Sequence, residues 1–357
     1  MILVARYFIA VSLGQVTLFA LCRLLIILVS LLVVGCSSKP EIIQISGSKM
    51  GTTYQVTIVA DQIPPDDLAQ RIDDLLATVD NSMSTYKQDS EISQFNRMKV
   101  GDKMVISKEF AAVIQISREV WLQSNGAFDP TIGPLVDLWG FGAGSVDLNI
   151  PPDDLIAAAL NNTGFQHVQL NDSVLSKTEP VELDLSAVAK GYGVDLVADL
   201  LEMLALPDYL VEVGGEIRVS GLNPSGDQWR VAIEQPQLPS SVDRVLELSE
   251  IAIATSGDYR NYFEQDGVRY SHTIDPRLGM PVEHGLASVT VLTKSCAEAD
   301  AWATAFTVMG ADRSIEVAER LGLAVYLMVR EEQQFRSLSS AGFKPYLEQP
   351  STSNKEG

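Results

Sequence analysis

A chain of 357 residues that is 46% hydrophobic and 20% charged can bury a full core in one large domain or two interlocked ones, which excludes a disordered class. The formal charge is −20; residues 1–35 hold Arg6 and Arg23 and no acid, so the remainder sets 24 basic against 46 acidic residues, a balance of −22. Such a surface repels polyanions, which excludes nucleic acid as a partner and broad adhesion to anionic lipid.

Residues 24–34 form an apolar stretch after Arg23 that ends in Val33-Val34-Gly35-Cys36, followed by polar Ser37-Ser38-Lys39. The pattern resembles a bacterial lipobox. On that reading residues 1–35 are a signal peptide, the Cys36 thiol takes a diacylglycerol, and residues 36–348 form a domain tethered to the extracytoplasmic, periplasmic side of a membrane. Ser37 and Ser38 carry no Asp that would suggest inner-membrane retention, and inner versus outer membrane stays open. An uncleaved transmembrane anchor is the alternative; the second apolar run over 7–22 makes the leader long, as a start assigned upstream of the true one would also do. With Cys22 removed and Cys36 acylated, Cys296 alone remains, so no intrachain disulfide is available. At a helix start, Cys296 reads as a small buried side chain.

Beyond the leader, 41–47 and 52–60 alternate as strands, and 66–83 carries a helical period after the turn signal Pro64-Pro65. Another helix is predicted over 107–123, closed by Asn125-Gly126. Residues 126–152, rich in Gly, Pro and aromatics including Phe128, Trp139 and Phe141, read as an ordered loop; those rings suit either stacking on a ligand or plain packing. Residues 153–161 read as helical and 165–170 as extended. Residues 181–185 lead into a helix through Val188, Val194, Val197, Leu201 and Leu204, placing Asp184 at a strand-to-helix junction where free N–H groups favour anions. Gly214-Gly215 separates two short strands, 229–233 and 246–254 extend the sheet, and 287–292 feeds a helix over 296–309. A last helix and strand pair follows, and 349–357 is a polar tail expected to be disordered. The architecture expected is α+β, mixed sheets flanked by helices, with a ligand cleft between two interlocked subdomains.

Two distant segments carry the chemistry. In Cys296-Ala297-Glu298-Ala299-Asp300-Ala301-Trp302-Ala303-Thr304, Asp300 and Thr304 stack a carboxylate and a hydroxyl on one helix face, hard-oxygen ligation suited to Mg2+. An Asp in a first helical turn is also simply favourable against the macrodipole. In the run from Asp184 to Asp195, Lys190 and the flanking glycines place a fixed cation beside a backbone that a phosphate can approach closely, although Lys-Gly-Tyr-Gly alone reads as a solvated turn. An acidic protein that binds a dinucleotide must neutralise its pyrophosphate locally, which a metal plus Lys190 would do.

Taken with Met50-Gly51-Thr52-Thr53-Tyr54, Met83-Ser84-Thr85-Tyr86, Gly126-Ala127-Phe128-Asp129-Pro130-Thr131, Val213-Gly214-Gly215-Glu216, Ser256-Gly257-Asp258-Tyr259-Arg260 and His272-Thr273-Ile274-Asp275-Pro276, these segments resemble the FAD:protein FMN transferases, the ApbE flavin-transferase lipoproteins, from about residue 50 to about residue 310. The resemblance implies FAD contacts at Met50, Tyr86, Ala127, Phe128, Asp129, Asp184, Lys190 and Ile274. It implies Mg2+ contacts at the Ala187 carbonyl, Asp300 and Thr304. Some members carry a second carboxylate where Ala303 stands, so this site has one acidic ligand fewer and leans more on water and substrate phosphate.

The activity implied is transfer of FMN from FAD to a Thr or Ser hydroxyl of another protein through a phosphoester bond, with release of AMP. A metal on the pyrophosphate would draw charge off the departing AMP with Lys190 in support, and His272 is the candidate base, with Asp275 orienting its loop. His167 and His284 lack that context and read as surface or packing residues. A hydrolase splitting FAD to FMN and AMP, or a non-catalytic FAD-binding lipoprotein, would use the same cleft. The acceptors implied are flavoprotein subunits of membrane redox complexes such as sodium-pumping NADH:quinone oxidoreductases and related electron-transport complexes.

Overall fold

Met50 and Gly51 have φ of +55° and +72°, the left-handed pair that a tight hairpin turn demands, and they fold strand β1 (Glu41–Lys49) back onto β2 (Thr52–Ala60). The computed structural model that shows this describes residues 41–142, 148, 150–236, 241–257, 262–265, 267–331 and 334–348. Residues 1–35, expected to be a signal peptide, Cys36 and the stretch 349–357, expected to be a polar tail, lie outside the described residues.

After the hairpin come α1 (Leu68–Met83), α2 (Glu91–Arg97), β3 (Lys103–Val105), α3 (Lys108–Gln123), α4 (Gly133–Leu138) and α5 (Asp153–Leu160). A 3-10 turn, Phe165–His167, leads to β4 (Val168–Asn171), β5 (Val174–Lys177) and α6 (Ser186–Met203). Then follow β6 (Tyr209–Val213), β7 (Glu216–Ser220), β8 (Trp229–Glu234), β9 (Val242–Leu248), β10 (Ile251–Gly257), β11 (Tyr262–Gln265), β12 (Val268–Ser271), β13 (Ile274–Asp275), β14 (Met280–Pro281) and β15 (Leu286–Thr293). Helices α7 (Cys296–Met309) and α8 (Ala311–Leu321), strands β16 (Ala324–Glu331) and β17 (Gln334–Ser339), and α9 (Lys344–Leu347) close the chain. Among the described residues no helix is long and apolar enough to cross a membrane.

Eight strands make one antiparallel sheet in the order β1-β2-β6-β7-β10-β15-β16-β17, with smaller sheets around it. Helices α1, α3, α6, α7 and α8 pack on one face, and α9 lies on the other. Ala252 and Ala254 of β10 point into that helical layer, where small side chains let α7 lie close; Ile253, between them, joins the core on the other face. Helix α7 is buried nearly all round, and its sequence is correspondingly apolar on every side. Leu135, Trp139, Ile156, Phe263 and Ile274 form a smaller core of their own. The architecture is α+β, a large sheet flanked by helices, as expected.

Local departures from the sequence reading have physical reasons. Strand β8 does not extend the main sheet: it pairs with β9 alone, and the ribbon lays Trp229, Val231 and Ile233 against the far face of the sheet. Alternation specifies which face is buried and leaves the pairing partner open. The run 246–254 is two strands broken at Ser249-Glu250, where Glu250 turns at φ +55° and its carboxylate takes Ser220 Oγ at 2.8 Å and Gly221 N–H at 3.0 Å. Residues 126–152 contain α4, and α2 was not anticipated.

Residues 181–185 are extended without being a strand, because side chains supply their backbone partners. The Asn96 amide accepts from Leu183 N–H at 2.8 Å and donates to Leu183 C=O at 2.9 Å; Lys177 Nζ donates to Val181 C=O at 2.9 Å. Asp184 N–H donates to Pro130 C=O at 2.7 Å, which ties the start of α6 to the 126–132 segment.

Candidate functional site

Helices α6 and α7 touch because Gly191 has no side chain. A Cβ there would lie 2.3 Å from the Cys296 carbonyl oxygen and 2.8 Å from Ala297 Cα. One turn further along α6, Asp195 accepts from Cys296 N–H at 2.9 Å, Ala297 N–H at 3.0 Å and Ser295 Oγ at 2.8 Å, satisfying the free donors at the start of α7. That contact brings Asp300 within reach of α6. Asp300 Oδ2 accepts from Gly191 N–H at 3.2 Å and lies 3.3 Å from Lys190 Nζ. The two sequence segments thus converge at one point.

A cleft of about 460 Å³ opens there. Its lining includes Tyr86, Ala127, Phe128, Asp129, Asp184, Ala187, Lys190, His272, Ile274, Asp300 and Thr304, every catalytic, FAD and metal residue expected from the sequence except Met50. The size suits a dinucleotide bound with part of its surface in solvent. Met50 instead occupies the β1–β2 turn, packed beside Gly193 between two apolar clusters. Ser256 and Gly257 also line the cleft, while Asp258, Tyr259 and Arg260 of the same segment lie outside the described residues.

Each wall has its own physical character. Tyr86 is 79% exposed at the end of the segment after α1, a ring free to close over a bound group. Phe128 is buried at 3% and belongs to the main core, so its place is held by packing. Asp129 is engaged with its own loop: Oδ1 accepts from Thr131 N–H at 2.8 Å and Thr131 Oγ at 2.5 Å, and Oδ2 from Phe165 N–H at 3.1 Å. Burial nevertheless raises its pKa above the usual carboxylate range. Asp184 Oδ1 accepts from Ser186 N–H at 2.8 Å at the opening of α6. Asp275 takes the Arg277 guanidinium at 2.8 and 2.6 Å and Arg277 N–H at 2.9 Å, fixing the β13–β14 turn that follows His272 and Ile274. The half-buried His272 ring meets Phe141 edge-on, with centroids 6.3 Å apart.

The donor set fits a hard cation. Ala187 breaks the helical dihedrals inside α6, at φ −90° and ψ 16°, so its carbonyl is not constrained to the helix axis. Asp300 is 6% exposed, and Thr304 stands one turn along α7. A carbonyl, a carboxylate and a hydroxyl are oxygen ligands of the type Mg2+ takes, with positions left for phosphate or water. Among the described residues no cluster of three or more His, Cys, Asp or Glu side chains is arranged to hold a metal by itself. Ala303 is 1% exposed and packs in the main core.

Sequence reasoning missed Glu216, 5% exposed at the start of β7, with Oε1 3.0 Å from Lys190 Nζ. Burial raises the Glu216 pKa to about 7, Asp300 adding to the effect and Lys190 opposing it. Burial depresses Lys190, but the Asp300 and Glu216 carboxylates outweigh it and hold the ammonium protonated well beyond the ordinary lysine range. Because the folded pKa of Glu216 is raised above the unfolded value, its contribution to stability is complete below about pH 4.5 and is lost as pH climbs to about 7. Glu216→Gln should therefore flatten the melting-temperature profile across that window, removing a pH-dependent component on the order of 3 kcal/mol. Parallel profiles for the two proteins would contradict this assignment.

The remaining cysteine and histidines sit elsewhere. Cys296 is fully buried, and desolvation drives its thiol pKa well up, so it is no nucleophile. His167 bonds Thr178 Oγ at 3.3 Å, and His284 Nδ1 accepts from Leu286 N–H at 3.4 Å; neither lines the cleft.

Comparison with known proteins agrees with this geometry. Residues 50–327 match the model of the ApbE family. The chain is 44% identical over 321 residues to a protein of Vibrio cholerae serotype O1 named FAD:protein FMN transferase, spanning 89% of this chain and 96% of that one. The solved flavin transferase ApbE from Vibrio cholerae superposes with a TM-score of 0.81 at 42% identity, over 86% of this chain and 99% of that one. The apo form of the Pseudomonas stutzeri flavinyl transferase ApbE gives 0.81 at 38% identity, over 87% and 98%.

Proposed function

The chain belongs to the ApbE family, and on that premise we propose that it is an FAD:protein FMN transferase that moves FMN from FAD onto a Thr or Ser hydroxyl of an extracytoplasmic acceptor, releasing AMP, with Mg2+ required. The observation that carries the reading is the meeting of Asp300 and Lys190, 110 positions apart, in the cleft that also holds His272. In the reaction the acceptor oxygen bonds to the FMN phosphorus, the phosphorus–oxygen bond to AMP breaks, and the hydroxyl proton passes to His272. Mg2+, when bound through Asp300, Thr304 and the Ala187 carbonyl, supplies positive charge to the pyrophosphate. Lys190 adds a fixed cation on the same side, the desolvated setting making that charge count for more than in water. Phe128 and Ile274 offer apolar surface for the flavin or adenine, and Tyr86 a ring to cover it.

The test uses the purified protein with FAD and Mg2+, with and without a membrane redox subunit as acceptor. Flavin fluorescence retained on the denatured acceptor, AMP in equal amount, and loss of both on chelation are the expected results. FMN and AMP formed equally well without acceptor would make the protein an FAD pyrophosphatase, and no AMP under either condition would make it a binding protein. The acidic balance of −22 beyond residue 35 favours tethering by lipid at Cys36 over electrostatic adhesion to a membrane. A mature N-terminus at Cys36 carrying a diacylglycerol mass is expected, and an intact Met1 terminus would replace the lipid anchor by an uncleaved leader.

A further inference from the structure

Lys190 is held by two buried carboxylates rather than one. Its Nζ lies 3.0 Å from Glu216 Oε1 and 3.3 Å from Asp300 Oδ2, and Glu216 Oε2 accepts from Thr255 N–H at 3.4 Å. Glu216 reaches this point because Gly214, at φ +61°, turns the chain tightly between β6 and β7; a Cβ on Gly214 would meet Thr52 at 2.9 Å and the Lys190 side chain at 3.2 Å. The charges then decide what Glu216 is for. Lys190 and Asp300 alone sum to zero, a closed pair in which the carboxylate that a divalent cation needs is already occupied by an ammonium. With Glu216 ionised the trio carries a net −1, and the ammonium has a second and nearer partner.

We infer that Glu216 is a positioning residue that retains the Lys190 ammonium when a divalent cation takes Asp300, so that the ammonium can give up Asp300 and still keep a partner. The inference rests on the proposed Mg2+ role of Asp300. In the cation-free protein, Lys190 shields Asp300 and Glu216 from each other. When a cation takes Asp300, the ammonium stays beside Glu216, placed to meet a phosphate oxygen and not displaced into solvent. A lysine with Asp300 as its sole partner would compete with the metal for the same oxygens.

The experiment titrates Mn2+ into the FAD-free protein on the alkaline side of neutrality, where Glu216 is ionised, and follows the free Mn2+ electron paramagnetic resonance signal. Glu216→Gln should weaken Mn2+ binding roughly tenfold, since a unit charge is lost within a few ångströms of a desolvated site. Glu216→Gln combined with Lys190→Met should recover affinity to about the wild-type level, a non-additivity that loss of structure would not produce. Asp300→Asn separates the two ideas. If it abolishes Mn2+ binding while Glu216→Gln binds as wild type, the Glu216 inference is wrong and the metal site stands; if Asp300→Asn binds as wild type, both fall. Should Glu216→Gln fail to fold, Lys190→Met carries the test alone. Without the competing ammonium, Mn2+ must bind at least as tightly as in the wild type, and a tenfold weakening overturns the inference.

Discussion

Replacing Gly191 by alanine is expected to destabilise the protein by about 1–3 kcal/mol or more and to abolish tight FAD binding, although alanine is the better helix former. In an open helix the exchange would gain about 1 kcal/mol. Here the added methyl meets Cys296 O at 2.3 Å, Cys296 C at 2.6 Å and Ala297 Cα at 2.8 Å, all of them backbone atoms that no rotamer change can move. Helices α6 and α7 must separate. Asp195 lies four residues on, on the same face, so separation also loosens its bonds to Cys296 N–H, Ala297 N–H and Ser295 Oγ. The Lys190–Asp300 contact stands directly beside the clash, which is why a change with no polar atom should cost the site its function. Thermal melting and FAD titration check this, and a variant that melts at or above the wild-type temperature would refute it.

The same helix pair shows what could be read from the sequence and what could not. Asp300 and Thr304 were legible because i, i+4 spacing is a local property of one helix, and Lys190 because glycines flank a lone cation. Glu216 was not. Its chemistry arises from β7 lying beside α6, a long-range contact that the local pattern does not encode; a carboxylate directly after a double glycine was its one visible sign. Asp195 escaped notice for the same reason, since the helix it caps begins a hundred residues later. Met50 shows the converse. Its motif was recognisable, but what the local sequence specifies there is a left-handed turn, and the side chain follows the turn into packing beside Gly193. For Asp129 the position at the cleft was foreseen and the occupation of both its oxygens by Thr131 and Phe165 was not. Residues 229–233 were seen as a strand but assigned to the wrong sheet, and 246–254 joins the end of β9 to most of β10, of which only β10 extends the main sheet, because an alternating pattern buries equally well against any apolar face.

His272→Ala should lower the rate of flavin transfer roughly 10²–10⁴-fold while leaving FAD affinity within about threefold of wild type. The assignment follows from the state of the other ionisable groups around the cleft. Asp129 has both oxygens taken, Glu216 is committed to Lys190, and Asp300 accepts from Gly191 and Lys190. Lys190 stays protonated, so it cannot receive a proton. Tyr86 is a phenol that lies mostly in solvent, away from the buried groups of the cleft floor. Asp184 is left as the competitor, with one oxygen accepting from Ser186 N–H. An imidazole ring nitrogen is the group most often used to take a proton from an attacking hydroxyl, and His272 brings one to the cleft. Asp184→Asn is therefore the decisive companion variant, with its main loss expected in FAD affinity and not in the rate at saturating FAD. If instead Asp184→Asn collapses the saturated rate and His272→Ala does not, Asp184 is the base and His272 a wall of the flavin site.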